Sequence, residues 1–435
     1  MNKAFLEKKI GPFKSFSEKL RQFGISVLTP KDFNNLFDLN NEISQAGKIE
    51  FQGLDLVAVD LEVHPQRLSE DLILDSIEPW KYSVIYSGIK NYRNSVILVD
   101  PDDFDRVIES LNDCGDITLQ DRRLLSLKAL YRLLRIGSTT HKELSELFAA
   151  EKFETIILEE ITPLRYGENP HQFAYIAKIA KENAFFDFID EDTLASMSYN
   201  NLIDLHLAIF ALKNLGKNFV VHVHHGTIVN VRKKEFDFSG ARGVVVANFV
   251  NEDLISGLQK SDLDIIALPD VSKVKARKIL QIDRFSIPSS EKEYRYLDGN
   301  FIVQTPDILE DLHFLSENDD EQYKWANVVA ALSKSMSCCI FKDGEMVSLG
   351  SGQPDQIDAL EIALKRAERN SKEVAGAVFA FDGPIRNMDV VNLSKKVGAG
   401  VIIEPGGVKE DAKVRKALMN SKTKLIFSRK RRYKH

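Results

Sequence analysis

The chain has 435 residues, of which 44% are hydrophobic and 28% charged, with a formal net charge of −6. That length calls for about two or three domains, and the acidic balance argues against a nucleic-acid binder, which needs a basic footprint to neutralise phosphates. There is no run of about 18 apolar residues to span a membrane, no apolar signal core at the N-terminus, and no disulfide framework in Cys114 and the adjacent Cys338 and Cys339, so a reduced, cytoplasmic protein is predicted.

Apolar runs bounded by turn signals alternate with amphipathic stretches, which is the pattern of α/β layers. Residues 24–28, 54–61 and 95–99 read as buried strands. Asp100-Pro101 then caps a helix running to residue 111, with Asp as N-cap and Pro in the first turn. Two helical stretches follow at 120–134 and 140–149, and a first domain is predicted over 1–155. In the second domain, 156–435, strand-like runs recur at 218–223, 243–248, 264–268, 337–341, 375–381, 400–403 and 424–427. Lys342-Asp343-Gly344-Glu345 reads as a hairpin turn, because Asp-Gly supplies the positive φ angles that tight turns demand. Helical periodicity appears at 357–369 and 388–397. No internal repeat is visible in the sequence, and the basic tail Arg429 to Lys434 reads as a solvated terminus.

Leu164-Arg165-Tyr166-Gly167-Glu168-Asn169-Pro170-His171-Gln172 concentrates a guanidinium, a phenol, an amide and an imidazole around turn-forming Gly and Pro. Such a density of donors fits a loop that holds an anionic ligand. Arginine offers a planar fork suited to phosphate, and a phenol hydrogen-bonds or stacks on a heterocycle. Ser198-Tyr199-Asn200-Asn201-Leu202-Ile203-Asp204 is a second polar stretch, which also reads as a helix cap. His222-Val223-His224-His225-Gly226 follows. On a strand, His222 and His224 would share one face and His225 the other. Either a metal site or a partly exposed strand end fits the cluster, although no Cys or carboxylate pattern completes a zinc site.

These motifs resemble the bifunctional purine-biosynthesis family that joins AICAR transformylase to IMP cyclohydrolase, in collinear order from about Gly24 to His435. The resemblance implies an α/β protein: a methylglyoxal-synthase-like doubly wound domain followed by a transformylase region of two cytidine-deaminase-like α/β subdomains. It implies formyl transfer from formyl-tetrahydrofolate to AICAR, with ring closure to IMP as a possible second activity. It further implies a homodimer acting on purine nucleotides, and chemistry that needs no metal. By resemblance, Arg165, Tyr166, Asn169, His171, Asn200 and Asn201 bind nucleotide. His225 falls on the family's catalytic histidine and His224 on its lysine, while Thr227, Ile228 and Val229 stand where Asn-Pro-Cys is expected. Gly352 and Gln353 keep a Gly-x-Gly-Gln turn, and Met336 replaces a functional Asn. Asp382 keeps the Asp of an Asp-Ala-Phe-Phe-Pro-Phe motif without its phenylalanines. An Asp-x-x-Ser-Ala-Phe-Gly-Gly region is deleted between Arg232 and Gly243.

In the first domain, Lys90 lands on a catalytic lysine, Glu78 on a catalytic aspartate and Glu62 on a functional tyrosine. The family's phosphate loop has become Leu28-Thr29-Pro30-Lys31, without a glycine to bring backbone amides to phosphate. For Lys90 and Glu78, a surface ion pair and retained catalysis are both open. A rival to the enzyme reading is a binding module, a paralogue that keeps a nucleotide site and has lost turnover.

Overall fold

Short runs of consecutive apolar residues build every large sheet in the protein, as they must where both faces of a strand are covered. The computed structural model describes residues 1–47, 53–61, 69–149, 153–180, 183–274, 278–282, 292–309 and 319–435. Glu62 lies outside them. The chain divides into two compact units, Met1–Ile157 and Leu158–His435.

Unit 1 carries strands β1 (Lys3–Leu6), β2 (Ser26–Leu28), β3 (Leu56–Ala58) and β4 (Val96–Leu98). They form one parallel sheet in the order β2-β1-β3-β4. Successive side chains point to opposite faces. Ala4, Leu6, Leu56 and Ala58 therefore pack with Phe13, Phe16 and Phe104 on one side, whereas Phe5, Val57 and Ile97 pack with Ile43, Val84 and Leu133 on the other. The chain leaves β1 for one neighbour and returns to the opposite side for β3, so the sheet's switch point lies at the C-terminal ends of β1 and β3. The stretches at 120–134 and 140–149 are a single helix, Leu119–Leu147. The helix runs through Gly137, since one glycine costs a helix only about 1 kcal/mol, and Leu125, Ala129, Leu133 and Ile136 are buried along one stripe.

Unit 2 opens with an antiparallel ribbon, β5 (Leu158–Pro163) and β6 (Tyr175–Ile179). A first five-stranded sheet follows, from β7 (Val220–His224), β8 (Thr227–Arg232), β9 (Val244–Ala247), β10 (Ile265–Leu268) and β11 (Ile279–Gln281). After a separate hairpin, β12 (Glu293–Leu297) and β13 (Asn300–Gln304), comes a second sheet of five: β14 (Cys338–Lys342), β15 (Glu345–Gly350), β16 (Val378–Phe381), β17 (Val401–Glu404) and β18 (Lys424–Phe427). The orders are β11-β10-β9-β7-β8 and β18-β17-β16-β14-β15. Each sheet begins with a hairpin, pairs its third strand antiparallel to its first, and ends with two parallel strands. The unit is a structural duplication that the sequence does not display.

Each half also begins with a helix laid on its sheet, Tyr199–Leu215 in the first and Glu321–Leu332 in the second. The second is buried over seven successive residues, Ala326 to Leu332, whereas the first keeps one exposed stripe, Tyr199, Ile203, His206 and Lys213. One core takes in both helices together with residues from both sheets, among them Val221, Val246, Phe341 and Ala380.

The predicted strands at 218–223, 243–248, 264–268, 337–341, 375–381, 400–403 and 424–427 correspond to β7, β9, β10, β14, β16, β17 and β18. The Lys342 to Glu345 turn joins β14 to β15, with φ of 53° at Asp343 and 84° at Gly344. The tail is not a solvated terminus throughout. Arg432 is buried, its backbone N–H bonds the Asp382 carbonyl, and its guanidinium reaches Asp307 and the Ile308 carbonyl.

Candidate functional site

The Arg165 to Gln172 loop joins β5 to β6, and its shape is held from within. The Gly167 N–H bonds the Gln172 carbonyl at 2.9 Å, while the Gln172 Oε1 accepts the Asn169 backbone N–H at 2.8 Å. A side chain at Gly167 would meet the Gln172 Cβ at 2.8 Å, so the turn requires glycine there. Arg165 is exposed, with its guanidinium 5.3 Å from the Tyr166 ring centre. Asn169 and His171 are exposed on the same loop.

The start of helix Tyr199–Leu215 pins this loop. The Tyr199 N–H bonds the Tyr166 carbonyl at 3.0 Å, the Arg165 N–H bonds the Met197 carbonyl at 2.8 Å, and the Asn200 amide donates to the Glu168 carbonyl at 3.0 Å. Ser198 and Asn201 cap the helix reciprocally. Asn201 thus serves the helix end, and its side-chain oxygen is already committed. Lys278, which the sequence did not single out, bonds the Ser196 carbonyl at the same place. Its pKa is lowered by burial first and by the Arg165 charge second. Two cations within electrostatic reach of one another form a place for an anion.

The histidines separate into three environments. His222 is buried in β7 with Nε2 2.6 Å from the Arg242 carbonyl, and burial lowers its pKa. His224 ends the strand, half-buried, and its ring centre lies 4.1 Å from that of His225. His225 is not on the strand. It occupies the first position of the two-residue turn between β7 and β8, with φ of 52°, followed by Gly226 at 65°. Thr227, Ile228 and Val229 run on into β8, and Ile228 is core.

Asp204, one helical turn beyond Asn200, accepts the His225 N–H at 3.0 Å and the Gly226 N–H at 2.6 Å. It is 4% exposed. Burial raises its pKa, and the two backbone donors and the neighbouring imidazoles oppose the rise without cancelling it. One helix therefore fixes both the Arg165–Tyr166 loop and the His225 turn, about one turn (5.4 Å) apart along its axis.

In the second half, Gly352 has φ of 67° and its N–H bonds the Lys334 carbonyl at 2.7 Å, while Gln353 and Met336 exchange backbone bonds. The Gln353 side chain donates to the Ser351 carbonyl. Asp382 is buried, with its two oxygens taken by the Ser335 hydroxyl at 2.5 Å and the Ser337 N–H at 2.9 Å. Burial raises its pKa against those bonds. Its carboxylate closes the internal structure of this half.

In unit 1, Glu78 and Lys90 do not form an ion pair with each other. Glu78 precedes the 12-residue helix Pro79–Lys90 and Lys90 ends it, which puts them about 18 Å apart at 1.5 Å per residue. Glu78 instead meets the Lys81 ammonium at 2.5 Å, and Glu7 meets it at 2.8 Å. Burial pulls the Lys81 pKa down, and these two carboxylates outweigh it and hold the pKa above the ordinary value. They border a cavity of about 230 Å³, also lined by Lys8, Asp60 and Tyr82, at the switch point of the sheet. Position in an open α/β sheet points to this cavity, whereas motif spacing pointed to Lys90. At the Thr29 loop, Asp32 takes both the Thr29 N–H at 2.7 Å and its hydroxyl at 2.8 Å. The loop's own carboxylate thus occupies these two donors.

Comparison with known proteins identifies the family. The profile described as AICARFT/IMPCHase bienzyme matches residues 88–236 and 243–366. Its interruption falls in the connection between β8 and β9. A bifunctional purine biosynthesis protein PurH of Persephonella marina is 27% identical over 94% of this chain and 88% of its own length. The PurH of Aquifex aeolicus is 27% identical over 88% and 82%, and that of Clostridioides difficile 28% over 92% and 85%. The chain belongs to the AICARFT/IMPCHase bienzyme family, as a divergent member.

Proposed function

We propose that unit 2 transfers a formyl group from formyl-tetrahydrofolate to the exocyclic amine of AICAR. The observation that carries this reading is the single helix, Tyr199–Leu215, that ties the nucleotide loop to the histidine turn. Arg165 and Lys278 receive the phosphate, and Tyr166, Asn169, His171 and Asn200 hold the rest of the nucleotide. The amine attacks the formyl carbon, the new C–N bond forms as the folate C–N bond breaks, and His225 moves the amine proton to the departing folate nitrogen. His224, ring to ring with His225, stands nearest to the developing oxyanion. Gly352 and Gln353 line the approach from the second half.

Unit 1 is the methylglyoxal-synthase-like, cyclohydrolase-type domain, and unit 2 the transformylase with two cytidine-deaminase-like halves. A homodimer is the assembly that goes with this reading. Ring closure is not part of the proposal, because Glu78 and Lys90 stand apart and the Thr29 loop is self-satisfied.

Single-turnover transfer, with protein in excess over AICAR and saturating formyl-tetrahydrofolate, tests the reading. Formylated product at a rate proportional to protein, lost in His225→Ala, is expected. No product, in an assay where a competent family member turns over, would overturn it.

A further inference from the structure

Asp204 is a buried carboxylate on a helix that otherwise presents leucine, isoleucine and alanine to the core. Burying a charge is costly unless donors compensate, and nothing about a helix between two sheets demands one there. The donors it finds are the backbone N–H groups of His225 and Gly226. Both residues adopt left-handed φ, which glycine accepts easily and a residue with a β-carbon does not.

The duplicated half supplies the control. The corresponding hairpin, β14–β15, turns through Asp343-Gly344, with the same sign of φ at both positions. Asp-Gly is the residue pair that such a turn prefers. Histidine at the first position is thus not something the hairpin needs, and in the first half a carboxylate from the neighbouring helix holds the less suited turn in place.

We infer that Asp204 is the positioning residue of the transfer reaction. By gripping the two turn amides it fixes where the His225 imidazole projects relative to the Arg165–Tyr166 loop, which the same helix also holds. This inference rests on the formyl-transfer reading.

The test is a double-mutant cycle in the full-length protein with Asp204→Asn and His225→Asn. An asparagine at 204 keeps one acceptor oxygen and turns an N–H donor towards a second donor. Asp204→Asn is expected to lower kcat about 100-fold, the scale of a small misplacement of a reacting group, with KM for AICAR within about 3-fold. In the His225→Asn background the same substitution should have no further effect on kcat. Equal losses in both backgrounds, or kcat and KM changing together, would reduce Asp204 to a structural role and overturn the inference.

Amide exchange in the same variants, followed by NMR, reads the positioning without turnover. Faster exchange at His225 and Gly226 is expected in Asp204→Asn. Unchanged exchange would overturn the inference even if the wild type transferred no formyl group, an outcome that would count against the proposed activity alone.

Discussion

The two halves of unit 2 share a topology down to single hydrogen bonds, and their differences show where function has been laid over a common frame. In the first half, the Asn248 amide oxygen, just beyond β9, accepts the N–H of Phe219, just before β7, at 3.2 Å. In the second, the Asp382 oxygen, just beyond β16, accepts the N–H of Ser337, just before β14, at 2.9 Å. The strand that follows ends in Leu268 in one half and Glu404 in the other, both fully buried. The second hairpin ends in Gly350 and is followed by helix Gln356–Arg369. The first ends in Arg232 and passes to β9 with no helix. The frame tolerates an amide or a carboxylate, a leucine or a glutamate, a helix or none. What the two halves share is the bond from the N–H before the first strand to the side-chain oxygen beyond the third. The histidine turn belongs to the half without that helix.

Gly350 tests this contrast most severely. A Cβ there would come within 1.9 Å of the Ala359 carbonyl on the helix that covers it. Gly350→Ala is expected to cost about 3 kcal/mol through forced helix displacement, read as a fall in the urea midpoint at unchanged slope. Arg232→Ala, at the matching end of β8, should cost only about 1 kcal/mol, from a guanidinium resting on the Phe238 ring and one carbonyl bond. Similar losses at the two sites would show that the missing helix has been replaced by something equally tight.

Glu404 gives a pH-dependent version of the same comparison. One of its oxygens accepts the Ile385 and Gly406 N–H groups, the other has no hydrogen-bond partner among the described residues, and burial lifts its pKa from 4.5 to about 7. The folded chain therefore holds this proton more tightly than the unfolded chain. The resulting stability is complete below pH 4.5 and is lost as pH rises to about 7; the span is about 3 kcal/mol. Glu404→Gln, which cannot ionise, should flatten that segment of the stability–pH curve. An unaltered curve would place the titration elsewhere.

The smallest effect is expected from Asp382→Asn, which gives the second half the side chain the first half already uses. The Ser337 N–H keeps an acceptor and the Ser335 hydroxyl can reverse its role, so a loss of about 1 kcal/mol or less is expected by thermal denaturation. A loss several times larger would mean that the second half depends on the charge and that the two halves differ more deeply than their topology suggests.

How much of this was legible in the sequence depended on how local the cause was. Uninterrupted apolar runs such as Val244-Val245-Val246-Ala247 can only be doubly covered strands, and Asp343-Gly344 can hardly be anything but a tight turn, so the positions of most sheet strands followed from composition and order. The Arg165 to Gln172 motif and its family followed likewise, because donors, glycine and proline at fixed spacing define a loop by themselves. Strands β1 and β8 and the ribbons β5–β6 and β12–β13 went unread, since short exposed or mixed segments become strands only through a partner. The histidine cluster was read as a strand with alternating faces, and its turn could not be seen because the residue that holds it, Asp204, lies 21 positions earlier. Glu78 and Lys90 matched a motif by spacing, yet a helix between them carries them apart, and Lys81 takes the place beside Glu78. The sequence alone determined which segments were apolar, where the chain had to turn and which family it belongs to, because those depend on neighbouring residues. The tertiary structure alone decided that unit 2 is a duplication, that one helix serves both loop and turn, and which carboxylates are buried, because these depend on contacts between residues far apart in the chain.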